Sequence, residues 1–441
     1  MEINNLNMEN HNSTTKPYTN GAVKRNIYNE IDISFSAKGD PLVSSWLPTL
    51  RNNLSSLLRW TGSYPIHIQD SHLAFVGESI VPQLKQPPVA ADRLRYILTH
   101  NHSPYEASIA FASHQSPKVR FTVQPLVDDS PVGDDPLGQK RLREKLEDMA
   151  SACGADRTWL SAFVDTVFLT AEEEEALIEK RDSNAADELP QQICYAGFDL
   201  ESHEDEGGVA AIGMKAYLFP QLRALATDRK LVDITESATT RLAAGDKEML
   251  AAWQLLRTFL VAQGEDRINI YFLAIDCLAS EMKPRFKVYS HTHANSLASA
   301  RNVLTLGGRL PSCSADLLPQ VWPLLMDMED TPQTDIEGQE KPLNEPDSKY
   351  CGLCFAFEMV PGKSVPQVKM YVPMWQYARD EAGVVERYER ILQTQGMIMG
   401  DREFGAAVQE ALETGQHTMA SFSSSEKGVG LSAYFGPRFW E

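Results

Sequence analysis

The chain is short of positive charge, of cysteine and of long apolar runs, and each shortage excludes a class of protein. Its 441 residues contain 41 Lys and Arg against 60 Asp and Glu, a formal charge of −19, whereas a nucleic-acid binder would present a net basic face. Six cysteines in so long a chain do not make the disulfide framework of a small secreted domain. The best apolar run, residues 160–171, contains Asp165 and is shorter than the ~18 residues of a membrane span. We therefore expect a cytoplasmic protein that binds neither nucleic acid nor membrane.

What the chain does contain is enough apolar material for a large core and a regular alternation of strands and helices. Hydrophobic residues make up 43% of it. Residues 1–24 are polar and rich in Asn and Thr, so we predict a disordered tail there and one folded domain over residues 25–441. Strand-like segments come in five pairs, and helical segments follow each of the first four pairs. The pairs lie in residues 105–125, 193–219, 268–290, 352–372 and 418–435.

This order of segments predicts the fold class. Strands that arrive as hairpins argue against a parallel sheet with crossover helices. Ten antiparallel strands with one polar face can close into a barrel that has helices outside and a polar lumen. We therefore predict an α+β protein, a single closed ten-stranded antiparallel β-barrel ringed by helices and built from αββα repeats.

A Lys-x-Tyr pattern recurs in the second strand of three predicted pairs, more often than the numbers of Lys and Tyr would produce by chance. The three occurrences are Lys215/Tyr217, Lys287/Tyr289 and Lys369/Tyr371. Residues two apart share one face of a strand. Arg285 joins the Lys287 face, while Arg120 and Tyr434 lie in the corresponding strands of the first and last pairs. One such pair alone would indicate an ordinary surface strand, but the repetition indicates a common site.

The chemistry of these residues points to an anion in the lumen. In an acidic protein a cluster of cations needs an anionic partner, and a diphosphate fits, because Arg donates paired hydrogen bonds and Lys supplies charge. Stacked phenol rings can also shield and stabilise a carbocation. The acidic pairs Asp128-Asp129 and Asp134-Asp135 both lack the third carboxylate of an Asp-Asp-x-x-Asp metal site. The sequence therefore predicts neither a metal site nor a cofactor.

Taken together, these segments resemble the fungal dimethylallyltryptophan synthase family of aromatic prenyltransferases, over roughly residues 41–440. The markers are Ser103-Pro-Tyr-Glu106-Ala-Ser, Val119-Arg120-Phe, Met214-Lys-Ala-Tyr217-Leu-Phe-Pro, Arg285-Phe-Lys-Val-Tyr289, Lys369-Met-Tyr371-Val-Pro and Tyr434-Phe. The resemblance implies the prenyltransferase barrel, which agrees with the hairpin count. It also implies a secondary-metabolism enzyme that moves a dimethylallyl group from its diphosphate to an aromatic carbon without a metal.

The resemblance further implies a role for each marker position. Diphosphate contacts would come from Arg120, Lys215, Arg285 and Lys287, and from Lys369 where relatives often have Gln. The residues that shield the dimethylallyl cation would be Tyr217, Tyr289, Tyr371 and Tyr434. Ile97 and Leu98 would line the acceptor pocket, and Glu106 would accept a hydrogen bond from the indole N–H and could take the proton lost from the ring.

Departures from the family pattern bear on the acceptor. Glu201 stands about where several relatives have a lysine involved in proton transfer. Tryptophan-specific relatives hold the free amino acid with a Tyr and an Arg at places where this chain has Phe219 and Phe272. We therefore expect an indole alkaloid, cyclic dipeptide or indole diterpenoid as acceptor. The alternatives are a tyrosine or polyketide phenol, or a non-catalytic barrel that binds a phosphorylated small molecule. Small molecules are the expected partners, and a homodimer is left open.

Overall fold

In a computed structural model of the chain, ten antiparallel strands close into one barrel. The strands are β1 (Tyr105–Ala112), β2 (Lys118–Val123), β3 (Cys194–Glu204), β4 (Ala210–Leu218), β5 (Asn269–Asp276), β6 (Phe286–Thr292), β7 (Leu353–Met359), β8 (Gln367–Val372), β9 (Gly415–Ser425) and β10 (Gly428–Pro437). Each strand pairs with the next along the chain, and β1 also pairs with β10. Closure leaves the sheet without a free edge. The predicted fold class and the five predicted strand pairs are confirmed.

The structure describes residues 41–439, apart from 85–89, 114, 128–134, 183–191, 206, 312, 333, 349, 351, 398–403, 413–414 and 426–427. All described residues belong to the unit Pro41–Glu441. The disordered tail predicted for residues 1–24, and the domain boundary predicted after it, lie outside the described residues.

Thirteen α-helices in this part of the chain pack around the barrel. They are α1 (Pro41–Trp60), α2 (Ile66–Phe75), α3 (Gln139–Ala152), α4 (Thr158–Val167), α5 (Ala171–Asp182), α6 (Gln221–Thr227), α7 (Leu231–Ala243), α8 (Lys247–Gln263), α9 (Leu297–Leu304), α10 (Cys313–Asp316), α11 (Leu318–Met326), α12 (Glu381–Thr394) and α13 (Phe404–Leu412). None of these described helices is long and apolar enough to cross a membrane.

The helices cover the outward-facing side chains of the strands, which are apolar and buried. Phe286 of β6 meets Phe163 of α4 edge to face at 6.1 Å, and Phe111 of β1 meets Trp60 of α1 at 6.0 Å. Since successive residues of a strand face opposite sides, the polar residues between these aromatics point into the lumen. The hydrophobic core thus lies between the barrel and its helices, and the lumen remains for polar chemistry.

One helical prediction needs correction. The sequence predicts a single helix over residues 156–181, but the structure ends α4 at Val167 and begins α5 at Ala171. Phe168 is buried in the core in an extended conformation, and the next residue, Leu169, donates its N–H to the side chain of Gln139. Tertiary packing therefore breaks a segment whose local pattern is continuous.

Candidate active site

Inward-facing side chains lie in three layers along the barrel axis. Strand β6 shows the order, with Lys287 at one end, Tyr289 in the middle and His291 at the other end. Strand β4 repeats it with Lys215 and Tyr217. Because alternate residues of a strand face inward, one end of the lumen is charged and the other is aromatic. We call the two spaces the charged cavity and the aromatic cavity.

The charged cavity is lined by all nine residues predicted to bind the prenyl diphosphate. They are Arg120, Lys215, Tyr217, Arg285, Lys287, Tyr289, Lys369, Tyr371 and Tyr434. Eight of them lie in the even-numbered strands, and Arg285 directly precedes β6. The structure thus brings together residues that are far apart in sequence. Their individual roles stay predictions.

Three carboxylates accompany these cations, and sequence analysis missed them as site residues. Each lies opposite a predicted cation on the neighbouring strand, namely Asp199 opposite Arg120, Asp276 opposite Lys215 and Glu358 opposite Lys287. In the sequence, each of them is a single acidic residue within an apolar stretch. The strand that contains it is paired with a strand that contains a Lys or Arg of the site. Cross-strand neighbours of opposite charge stabilise one another.

The carboxylates hold the cations in fixed positions. Arg285 binds Asp276 at 2.5 Å and Glu358 at 3.0 Å, and Lys287 binds Asp276 at 2.6 Å. Asp199 binds Arg120 at 3.2 Å and also pairs with Lys215. Burial alone would raise the pKa of the Asp199 carboxyl, but Lys215 and Arg120 hold it well below its usual range. The acids therefore stay ionised and preorganise the cations.

Lys369 differs from the other cations of this cavity. Among the described residues, no carboxylate lies within 4.0 Å of it. Its Nζ lies 3.5 Å from the Ser432 hydroxyl and 5.4 Å from the centre of the Tyr371 ring. Burial, with repulsion by Arg120, lowers the pKa of Lys369 to about 7. When Lys369 is protonated, five cations face three carboxylates, and a multivalent anion would relieve this excess of positive charge.

Four tyrosines separate the two cavities and line both of them. They are Tyr217, Tyr289, Tyr371 and Tyr434. Neighbouring ring centres are 6.0, 5.8 and 6.0 Å apart in that order. Burial raises the pKa of each phenol above its usual value, so the rings stay neutral. A cation formed at the charged end would meet this aromatic layer before it met the other cavity.

Small residues on the odd-numbered strands make room for the tyrosines. Ala274 lies opposite Tyr217 and Ala356 lies opposite Tyr289. Gly197 of β3 approaches Tyr217 so closely that a Cβ there would lie 3.0 Å from the ring. The alternation of large and small residues therefore sets where the tyrosine layer can form.

The aromatic cavity contains the three residues predicted for the acceptor, Ile97, Leu98 and Glu106, together with about 890 Å³ of space, part of it open to solvent. Its other side chains are mostly aromatic. They include Tyr195, Tyr271, Phe272, Tyr289 and Tyr350. Cavities of this size and character suit small organic ligands.

Glu106 is the one carboxylate among the described residues that line the aromatic cavity. Burial raises the pKa of its carboxyl to about 7, and a hydrogen bond from the Thr418 hydroxyl limits that rise. Near neutral pH the group can therefore exist as a proton acceptor or as an acid. A carboxyl poised in this way suits proton transfer.

The backbone N–H groups of Ile97 and Leu98 are already occupied and cannot bind a carboxylate ligand. Ile97 and Leu98 donate their N–H groups to the side-chain oxygen of Gln124, at 2.8 and 3.0 Å. No Lys or Arg is among the described residues of the lining. Phe272 stacks on Tyr289 at 4.3 Å, while Phe219 is buried. The expectation that anchors for a free amino acid are missing is consistent with this geometry.

Two other sequence observations, Glu201 and the acidic loop, do not lead to a second site. Glu201 binds Lys118 at 2.6 Å and lines neither cavity, so it does not occupy a proton-transfer position. Asp135 binds Arg141 at 2.9 Å, while residues 128, 129 and 134 of the acidic loop lie outside the described residues. Within the described part of the chain, no group of three His, Cys, Asp or Glu side chains could hold a metal ion.

Comparison with known proteins gives consistent matches over most of the chain. The sequence model of the tryptophan dimethylallyltransferase family matches residues 43–405. The indole prenyltransferase tdiB of Emericella nidulans is 31% identical, over 88% of this chain and 94% of that protein. The indole diterpene prenyltransferase terF of Tolypocladium album is 27% identical, over 89% and 93%. The crystal structure of NotF in complex with brevianamide F and DMSPP has the same fold, with a TM-score of 0.69 and 19% identity over 88% of this chain and 93% of that one.

Proposed function

Because the chain belongs to the tryptophan dimethylallyltransferase family, we propose that it transfers a dimethylallyl group from its diphosphate to an indole ring carbon of an alkaloid, cyclic dipeptide or indole diterpenoid. It is a prenyltransferase. The observation that carries the proposal is the layer of four tyrosines shared by a charged and an aromatic cavity. A donor diphosphate fits one side of this layer and an aromatic acceptor fits the other.

The proposed reaction begins in the charged cavity. The bond between the allylic carbon and the diphosphate oxygen breaks, and its electron pair stays with the diphosphate. The preorganised cations stabilise the charge that develops on this leaving group. The allylic cation forms against the tyrosine layer, which attracts it through the ring faces and keeps water away.

The acceptor then supplies the new bond. A ring carbon of the indole donates a π-electron pair to the allylic cation, and positive charge spreads to the indole nitrogen. The Glu106 carboxylate accepts a hydrogen bond from the indole N–H and stabilises that charge. Loss of the proton from the attacked carbon restores aromaticity, and Glu106 is the carboxylate that can receive it.

Polarity in the aromatic cavity supports the choice of acceptor class. A free amino acid would bury a carboxylate against Phe272 and the occupied N–H groups of Ile97 and Leu98, which without a partner costs more than the roughly 2–7 kcal/mol of a neutral polar group. A larger and less charged indole avoids that cost. The relatives tdiB and terF are an indole and an indole diterpene prenyltransferase, in agreement with this class.

The test is incubation with dimethylallyl diphosphate and a panel of indole acceptors, with products read by mass spectrometry. We expect one dimethylallyl unit to be added to alkaloid, cyclic dipeptide or diterpenoid indoles, and little reaction with free tryptophan. Faster turnover of tyrosine or of a polyketide phenol would overturn the indole assignment. Binding of diphosphate without turnover of any acceptor would favour a non-catalytic barrel.

Metal independence is a prediction of the same site. The side-chain cations of the charged cavity outnumber its three carboxylates and can hold a diphosphate without a divalent ion, so turnover should persist in excess EDTA. The measurement compares rates with EDTA, with added magnesium and with neither. Activity abolished by EDTA and restored by magnesium would contradict the prediction. Mild stimulation by magnesium would not, since a divalent ion can assist diphosphate release.

Gly197→Val is predicted to disturb the tyrosine layer. The new side chain would displace the Tyr217 ring, because even a Cβ at this position lies 3.0 Å from it. We expect turnover about tenfold lower and a larger share of dimethylallyl alcohol formed by water, since misplacement of the shield also admits solvent. Gly338→Val is the control, because a Cβ there would contact no described atom within 4 Å and Gly338 lines neither cavity. Equal alcohol fractions in the two variants would show that the layer tolerates the change.

A further inference from the structure

Thr418 forms the one side-chain hydrogen bond that the structure gives to Glu106 within the described residues. The Thr418 hydroxyl donates to Oε1 of Glu106, and Thr418 is only 3% exposed. These residues lie on β9 and β1, which are not neighbours, because β10 runs between them. A side chain must therefore reach across a whole strand to make this bond.

Two local features permit this reach. The pairing of β9 with β10 slips between Ala433 and Phe435, so that Thr418 and Met419 together lie opposite Tyr434. Such a bulge changes the direction in which a side chain points. Next along β10, Gly436 has no side chain, and a Cβ there would lie 3.0 Å from the methyl carbon of Thr418. The bulge and the glycine together create the path between Thr418 and Glu106.

A helix outside the barrel fixes the strand at the same point. Glu381 opens α12, and its carboxylate accepts hydrogen bonds from the backbone N–H of His417, at 2.7 Å, and from the His417 ring. His417 is 2% exposed and directly precedes Thr418. The start of the bulge is therefore held by a charged group that does not itself line either cavity.

We propose that Thr418 is the positioning residue of the acceptor site: its hydroxyl aims the Glu106 carboxylate at the acceptor N–H and favours the charged form of that carboxylate. The β9 bulge, Gly436 and the Glu381–His417 contact hold Thr418 in place. This inference rests on the proposed function, in which Glu106 is the proton acceptor.

Burial has the largest effect on the charge of Glu106, and the Thr418 hydrogen bond has the next largest. The phenols of Tyr195, Tyr350 and Tyr434 interact with Glu106 from three different elements, and burial raises the pKa of each. The other ionisable side chains of the cavity lining are Tyr217, Tyr271, Tyr289, Tyr371, His291 and Cys354. The phenols and the Cys354 thiol, whose pKa burial raises to about 12, are uncharged near neutral pH.

The direction of the expected shift in the pH profile follows from the hydrogen bond that Thr418 donates to Glu106. A hydrogen bond to the carboxylate stabilises its charged form, so loss of the Thr418 hydroxyl raises the pKa of Glu106 further above about 7. Thr418→Val keeps the shape and removes the donor. A hydrogen bond to a charged group corresponds to about one pH unit or more. The acid limb of the pH profile of kcat/KM should therefore move to a pH about one unit higher.

The experiment is a pH profile of kcat/KM for the best indole acceptor in the wild type, Thr418→Val and Thr418→Ser. We expect the Val variant to be about fivefold slower near pH 7 and close to the wild type near pH 9, and the Ser variant to restore the profile. Thr239→Val on α7 is the control, because it removes a buried hydroxyl that binds only the Thr235 carbonyl. Gly436→Ala, which crowds Thr418, should shift the limb in the same direction.

The outcomes separate this inference from the proposed function. An unshifted acid limb in Thr418→Val, or an equal loss at every pH, would overturn the positioning role. If Glu106→Gln retains full turnover, the proposed function of Glu106 fails instead. If Glu106→Gln is inactive while Thr418→Val has the wild-type profile, only the role of Thr418 is lost.

Discussion

Glu106→Gln is expected to lower turnover of the best indole acceptor by at least ~10²-fold, a typical general-base contribution. The amide keeps the shape of the side chain but loses the charge that stabilises the indole nitrogen and the basicity that removes the ring proton. Binding of the donor should not change, because Glu106 does not line the charged cavity. The measurements are kcat with the indole and the affinity for inorganic diphosphate by calorimetry.

Glu201→Gln is the matched control for this change. Glu201 is the carboxylate at the position that the resemblance suggested for proton transfer, yet it binds Lys118 and lines neither cavity. We expect near-normal kinetics in this variant. An intact rate in Glu106→Gln would remove Glu106 from the mechanism and favour a phenolic acceptor, while the barrel and its diphosphate site would still stand.

Lys287→Ala is expected to weaken use of the prenyl diphosphate far more than acceptor binding. A charge-assisted contact is worth about 1.5–3 kcal/mol, or roughly 10- to 150-fold. Lys287 is 3% exposed, lines the charged cavity and is held by Asp276. The loss should appear in KM for dimethylallyl diphosphate, whereas KM for the indole should change little. Steady-state kinetics with each substrate varied in turn would measure both.

Stability must be followed in the same variant. Asp276 loses one of its two cation partners but keeps Arg285, so the loss of the free energy of unfolding should stay below the ~3–5 kcal/mol of a buried charge left without a partner. Lys118→Ala is the control, since Lys118 precedes Arg120 by two residues on β2 but lines neither cavity. If both lysine variants have wild-type KM values for the donor, Lys287 does not bind it.

Much of the fold and site can be predicted from the sequence because the information is local. The period of two in a strand places Lys215 with Tyr217, and Lys287 with Tyr289, on one face whatever the rest of the chain does. The residues that alternate with them along each strand are apolar and belong on the side covered by helices. The face with Lys and Tyr must therefore be the inner one. The same pattern explains why the strand pairs and the nine residues of the charged cavity could be named before the structure was known.

Other features depend on which strands become neighbours, and only the tertiary structure decides that. The carboxylates Asp199, Asp276 and Glu358 become site residues because barrel closure places them opposite cations on adjacent strands. Thr418 reaches Glu106, 312 residues away, because a bulge and a glycine without a side chain clear the space between β9 and β1. Periodicity carries no information about such contacts, since register, bulges and packing between distant segments are set by the folded barrel as a whole.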